Sequence, residues 1–192
     1  MKKGSLFLIT GILLIIVSLG VLLFNQYQIR QSAGQAANLV QIIEPKLPMH
    51  ASGFPGMFSN PAMPVLEIDD QDFCALVDFP GFGTLLPVSS SWDTRNLSAY
   101  PSRFWGSIYD NNMIIGGSGQ DGQFDFFDQL NPGAVVSVTD MLGFEYSYTV
   151  SRIDRAKSVT YERLCEGGYP LVLFAGNLFS TEYLIVRCDL TN

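Results

Sequence analysis

The chain has 192 residues, of which 47% are hydrophobic and 15% charged, and its formal net charge is −7. From Glu67 to the end there are 7 Lys and Arg against 17 Asp and Glu, a net of 7 − 17 = −10, so this part repels phosphate-rich polymers and no nucleic-acid partner is expected. The length allows one domain of ordinary size behind a greasy N-terminal segment.

That segment runs from Leu6 to Phe24, 19 residues without a charge, broken only by Thr10, Gly11, Ser18 and Gly20. At about 1.5 Å per helical residue it matches a hydrocarbon core of roughly 30 Å, so a transmembrane anchor over 1–25 is predicted. A secretory signal has a shorter apolar stretch with a small-residue cleavage site close behind; Ser32-Ala33 and Ala36-Ala37 leave cleavage open. Lys2 and Lys3 precede the span and favour the cytoplasmic side, which puts the rest of the chain outside the cell.

Residues 26–64 divide into a stalk and a linker. Gln26 to Glu44 are good helix formers with Ala36, Val40 and Ile43 at helical spacing, and Pro45 and Pro48 end the pattern. Met49 to Pro64 contain three prolines and two glycines with no sustained period, and include His50, the only histidine of the chain. The folded domain is expected over 65–192.

There the chain breaks into short apolar runs separated by Gly, Pro, Asn and Asp: Phe73–Asp78, Thr84–Val88, Trp105–Tyr109, Met113–Ile115, Ala134–Thr139, Phe144–Ile153, Leu171–Ala175 and Tyr183–Leu190. The spacing predicts an all-β domain, a mostly antiparallel closed β-barrel of about eight strands. Short helices are predicted at Asp93–Leu97, behind an Asp cap, and at Gln123–Leu130, closed by Asn131-Pro132-Gly133. Phe144, Tyr146, Tyr148 and Val150 alternate along one strand face and are assigned to the core. Asp69, Asp70 and Asp72 are a solvated approach to the first strand. Cys74 and Cys188 sit in apolar runs as small buried hydrophobes, while Cys165, in a polar segment, is open to being free or paired.

Five blocks, in order, resemble a sortase of the class B kind. Phe73-Cys-Ala-Leu-Val-Asp-Phe-Pro80 is similar to the first strand and its Ile-Pro ending. Leu86-Pro-Val-Ser-Ser-Ser-Trp-Asp93 is similar to Leu-Pro-Val followed by a short helix. Pro101-Ser-Arg-Phe-Trp-Gly-Ser107 resembles Pro-Cys-Arg-Tyr-Ser-Gly-Ser, Asn112-Met-Ile-Ile-Gly-Gly-Ser118 resembles Val-Ile-Ala-Gly-His, and Phe124 to Gly133 follow the family's Phe-Gly-x-Leu-x-x-Leu-x-Pro-Gly register. Together the blocks cover about residues 70–190.

The resemblance implies an enzyme that cuts a sorting signal and joins the new carboxyl end to an amine through a thioester, with cysteine as nucleophile, histidine for proton transfer and arginine for the oxyanion or substrate. In this chain those positions read Ser118 for the histidine, Gly176 for the cysteine, with Ala175 one residue away, and Tyr183 for the arginine. Arg187 matches a residue of the last strand that is not the catalytic one. The expectation is therefore a catalytically inactive relative, with no cofactor and no metal. It would contact a peptide sorting signal or a cell-surface protein, an active sortase included, in cell-wall anchoring or pilus assembly on a Gram-positive type of cell. Leu178, Phe179, Tyr183, Tyr161 and Leu164 are the candidates to line the vacated pocket; packing onto the barrel is the competing role for each.

The alternative is an active cysteine transpeptidase or hydrolase with a relocated nucleophile, Cys165 served by His50 or a carboxylate. Ser118 or Ser180 beside Asp121 lacks a positioned base. Asp121, Asp125 and Asp128 do not match a calcium loop, and the glycines around Ser118 lack the ending of a phosphate loop. A decaying duplicate with no function is the remaining reading.

Overall fold

A computed structural model describes residues 2–48, 62–95, 97, 99–119, 122–176 and 181–191, without the side chains of 2–7, 25 and 28–33. Nine strands form one sheet: β1 (Leu66–Ile68), β2 (Gln71–Phe79), β3 (Thr84–Ser89), β4 (Ser102–Trp105), β5 (Met113–Ser118), β6 (Val135–Asp140), β7 (Glu145–Ala156), β8 (Leu171–Gly176) and β9 (Tyr183–Leu190). Their order is β1-β2-β3-β4-β5-β8-β9-β7-β6, and β2 also pairs with β6, which closes a barrel of eight strands and leaves β1 as an added edge. Two of the pairings are parallel, β3 with β4 and β5 with β8; the others are antiparallel.

Strict alternation fills the barrel. Val136 and Val138, Tyr146, Tyr148 and Val150, and Leu171, Leu173 and Ala175 all face the interior core, while their neighbours face outward. The Asp69-Asp70 approach to β2 is a hairpin turn, both residues having positive φ (50° and 61°), a conformation that Asp tolerates better than most residues. The predicted strand at Trp105–Tyr109 is displaced: β4 ends at Trp105 because Gly106 turns the chain with φ of +74°. Of the two predicted helical pieces, the second shortens to a single turn, and among its described residues the first makes turns and no helix. At Asp93 the carboxylate accepts from the Arg95 N–H at 2.9 Å and closes a turn, and between Gln123 and Leu130 only Phe127–Gln129 make a 3-10 turn. A five-residue helix that the apolar pattern does not announce, α2 (Tyr161–Cys165), is capped by Thr160.

The N-terminal helix α1 runs from Lys2 to Ile43. Its last turns are no free stalk: Val40 and Ile43 are buried with Ile68, Phe73, Leu76 and Met141, and Ala36 joins the barrel core. The helical spacing of these three residues is thus a docking face. Farther up, side chains from Leu8 to Phe24 are exposed. Among the described residues no helix is long and apolar enough to cross a membrane; the described apolar side chains span 8–24, about 25 Å of helix.

Candidate functional site

Alternation assigns every second residue of β5, β8 and β9 to the outside of the barrel, and the pairing lines these residues up in rows. Ile114 lies opposite Val172, and Val172 opposite Arg187; Gly116 opposite Phe174, and Phe174 opposite Ile185; Ser118 opposite Gly176, and Gly176 opposite Tyr183. The three positions at which the resemblance calls for histidine, cysteine and arginine therefore form one cross-strand row at the end of this face. Ala175 faces the interior and is buried, so of the two candidate nucleophile positions only Gly176 opens outward.

The row borders a cavity of about 450 Å³, within the size range of small-ligand sites. Its walls are Trp92, Phe104, Phe174 and Tyr183, with Leu97 and Val159 completing the apolar lining. Trp92, Phe104 and Phe174 are mutually packed, with ring centroids 5.0, 5.7 and 5.6 Å apart. This close packing needs Gly116, since a Cβ there would lie 2.5 Å from both Phe174 and Trp92. Among the described lining residues none is Cys, His, Lys, Arg, Asp or Glu. The lining is aromatic and aliphatic, with Thr94, Ser118 and Tyr183 as its hydroxyl-bearing residues.

Tyr183 extends over the glycine opposite it: a Cβ on Gly176 would sit 3.0 Å from the Tyr183 ring. An aromatic ring laid across a cross-strand glycine restores the packing that the glycine gives up. The place where a nucleophile's side chain would begin is thus bordered by a phenol ring.

One buried polar residue holds the wall. Gln123, 3% exposed, accepts from the Ser118 N–H through Oε1 at 3.1 Å and donates through Nε2 to the Leu97 carbonyl at 2.8 Å. Gln123→Ala is expected to lower stability by about 1–3 kcal/mol, because both backbone groups lose their partner in a water-poor site. A urea-denaturation midpoint measures it.

Arg187 lies on the same outward face as Tyr183, two rows farther along, but is covered by α2. Its guanidinium pairs with Asp154 at 2.9 Å and donates to the carbonyls of Arg163, Leu164 and Glu166 at 2.7, 3.1 and 2.7 Å. It is the clamp of α2 and is consumed there. Arg95, next to the cavity-lining Thr94, is largely exposed and paired with Asp93 at 2.8 Å.

The other expected residues separate. Leu164 does not line the pocket: it is fully buried on the inner side of α2 against Ile114, Val172 and Ile185, because a short helix must bury its apolar side on the sheet it covers. Tyr161 lies on α2, edge-on to Trp105 at 5.2 Å and outside the cavity lining. Leu178, Phe179, Ser180, Asp121 and His50 lie outside the described residues. All three cysteines are free, Cys165 exposed and Cys74 and Cys188 buried; burial pushes both buried thiols up to about 12, out of the reactive range. Among the described residues no group of His, Cys, Asp and Glu is arranged to hold a metal ion. Trp92, Phe104 and Phe174, which build the cavity, were not singled out by sequence reasoning. The available signal was the alternation of β8, which places Phe174 on the same side as Gly176.

The sequence matches no family profile and no curated protein. The fold does match solved structures. Sortase C-1 from Actinomyces oris superposes with a TM-score of 0.52 at 18% identity, over 85% of this chain and 99% of that one. A sortase D5 transpeptidase from Clostridium perfringens gives 0.53 at 17%, over 63% and 80%. Sortase A from Corynebacterium diphtheriae gives 0.52 at 17%, over 64% of this chain and 62% of that protein's length. The chain has the sortase fold.

Proposed function

We propose that this is a membrane-anchored, extracellular protein of class B sortase type that has lost acyl transfer and holds a peptide or protein partner at the cell surface. The observation that carries the reading is the row Ser118, Gly176, Tyr183. It occupies the three positions named by the resemblance, borders the aromatic cavity and contains no thiol, imidazole or cation, leaving the Ser118 hydroxyl without a base to activate it. An extended peptide can still bind there by backbone pairing and by placing an apolar side chain among Trp92, Phe104 and Phe174. Sorting signals are the first class of peptide to test, because they are the substrates that the fold's enzymes process.

The anchor rests on the uncharged run Leu6–Phe24, on the helix being continuous from Lys2 to Ile43, and on apolar side chains such as Ile15 standing 69% exposed. Lys2 and Lys3 give the orientation, N-terminus cytoplasmic and barrel outside. The Gram-positive surface and a role beside an active sortase in wall anchoring or pilus assembly are what the resemblance of the sequence blocks implies.

The test is a cleavage and ligation assay of the full chain in detergent, with a library of sorting-signal peptides and an amine acceptor, read beside Trp92 fluorescence in a Trp105→Phe background. Binding without turnover is expected. Turnover that disappears in Cys165→Ala would overturn the reading in favour of a relocated thiol, the less favoured alternative because Cys165 does not border the cavity. Neither binding nor turnover would mean that the partner is not a sorting signal.

A further inference from the structure

On the side of the barrel where α1 docks, a second cavity of about 420 Å³ lies between the outer face of β2, β3, β6 and β7 and the segment Glu44–Pro48. It is built by the same alternation as the first. Val136 and Val138 point into the core, so Ser137 between them points outward, directly opposite Asp78 in the β2–β6 pairing. Gly143 lets the chain close the cavity's edge: its φ is +83°, and a Cβ there would lie 2.3 Å from the Pro48 carbonyl oxygen.

Three carboxylates, Glu44, Asp78 and Glu145, border this space above an apolar floor that includes Leu47 and Leu76. Among the described residues none of the three has an ion-pair partner. Desolvation first, and then the negative charges of Glu145 and Glu44, raise the Asp78 carboxyl above its ordinary value. A second, independent observation is Ser137: the residue is 95% buried by its 5% exposure, borders the cavity, and its hydroxyl has no hydrogen-bond partner among the described residues. The hydroxyl opens into the cavity, where a donor or an acceptor that enters can meet it.

A shared metal ion does not fit, because no three such groups among the described residues are arranged to hold one. A cationic head with several N–H donors does fit, since it reaches carboxylates and a hydroxyl that are spread around a rim, and an aliphatic stem behind it covers the leucine floor. We propose that this outer-face cavity receives a lysine or arginine side chain of a partner polypeptide. The charge of −10 from Glu67 onward draws such a partner in. The site is separate from the aromatic cavity and does not depend on the role assigned to it.

The experiment titrates the full, isotopically labelled chain in detergent with the peptides acetyl-Ala-Lys-Ala-amide and acetyl-Ala-Arg-Ala-amide, and with the norleucine peptide as the uncharged control. Saturable amide shifts at Leu76, Asp78 and Ser137 are expected with the two basic peptides and not with norleucine. Asp78→Asn is expected to weaken binding about tenfold, and Glu145→Gln, at an exposed position that does not endanger folding, to weaken it several-fold. Trp92→Ala should leave it unchanged. Equal binding of the norleucine peptide, undiminished binding in both charge variants, no saturable shift, or shifts confined to the surroundings of Phe174 and Gly176 would each overturn the proposal. So would saturation by ethanolamine at the same affinity, which would make the ligand a headgroup amine without need of a stem.

Discussion

Replacing Arg187 with methionine is expected to lower the stability of the barrel domain by about 3–5 kcal/mol, the cost of removing one partner from a buried ionic network. The guanidinium is 3% exposed, and its four hydrogen bonds go to Asp154 and to the carbonyls of Arg163, Leu164 and Glu166. Methionine fills much of the volume but leaves the end of α2 without donors and Asp154 with only Arg152, at 2.7 Å. Because α2 seals Ile114, Val172 and Ile185, its loosening also opens an apolar face. Arg187→Lys should recover part of the loss, since a lysine provides charge but not the planar fork that serves several acceptors at once.

The pH dependence of this difference has a definite sign. Burial alone would raise the Asp154 carboxyl, but the hydrogen bonds from Arg187 and then Arg152 outweigh it and hold it below its ordinary value of 3.8. A depressed carboxyl contributes stability that is fully present above the unfolded value and is lost as pH falls through the folded one. The gap between wild type and Arg187→Met should therefore be constant around neutrality and narrow below pH 3.8. Denaturation midpoints at pH 7 and in the acid range measure both; a gap of under about 1 kcal/mol at pH 7 would show that water serves the carbonyls as well as the guanidinium does.

The second large effect is a contrast between two glycines of neighbouring rows. A Cβ on Gly117 would lie 2.6 Å from the ring of Phe124. That ring cannot withdraw: it is 1% exposed, stacked on Phe127 at 4.3 Å and edge-on to Phe79 at 5.8 Å. Gly117→Ala should therefore cost about 1–3 kcal/mol, toward the upper end, by overpacking. A Cβ on Gly176 meets only the edge of Tyr183 at 3.0 Å, on a residue that is half-buried at the cavity and has room to shift a few tenths of an ångström. Gly176→Ala should stay within about 0.5 kcal/mol of wild type. Thermal unfolding of the two variants side by side tests the ordering, and equal losses would contradict it. The contrast bears on function, since the position that the resemblance assigns to the nucleophile still accepts a side chain. Gly176→Cys should fold and still fail to turn over sorting signals, there being no described base or cation beside it.

Several features of the fold were legible because they are local. The alternation Phe144, Tyr146, Tyr148, Val150 reports which side of β7 is inside, and the apolar runs bounded by Gly and Pro locate seven of the strands to within a few residues. Trp105–Tyr109 was misplaced because its apolar residues continue past Gly106, where the backbone turns. The helical pieces expected at Asp93 and Gln123 shorten to turns among the described residues, because an Asp cap and helix formers are satisfied equally well by a single turn when the strands on either side take up the chain. For Leu164 the two expected roles, lining the cavity and packing onto the barrel, have the same appearance in the sequence, and only the fold selects the second.

The composition of the chain already settles which side chains exist: one histidine, placed in the linker, three cysteines, and an apolar alternation that can close only by burying one face of each strand. Those are properties of residue type and of a period of two, and both can be read from neighbours along the chain. It took the fold to close β2 on β6, to dock Ala36, Val40 and Ile43 on the barrel, to spend Arg187 beneath α2, and to set Ser118, Gly176 and Tyr183 in one row with the Tyr183 ring against Gly176. Each of these joins residues tens of positions apart, where pairing register and packing, not local preference, choose the partner.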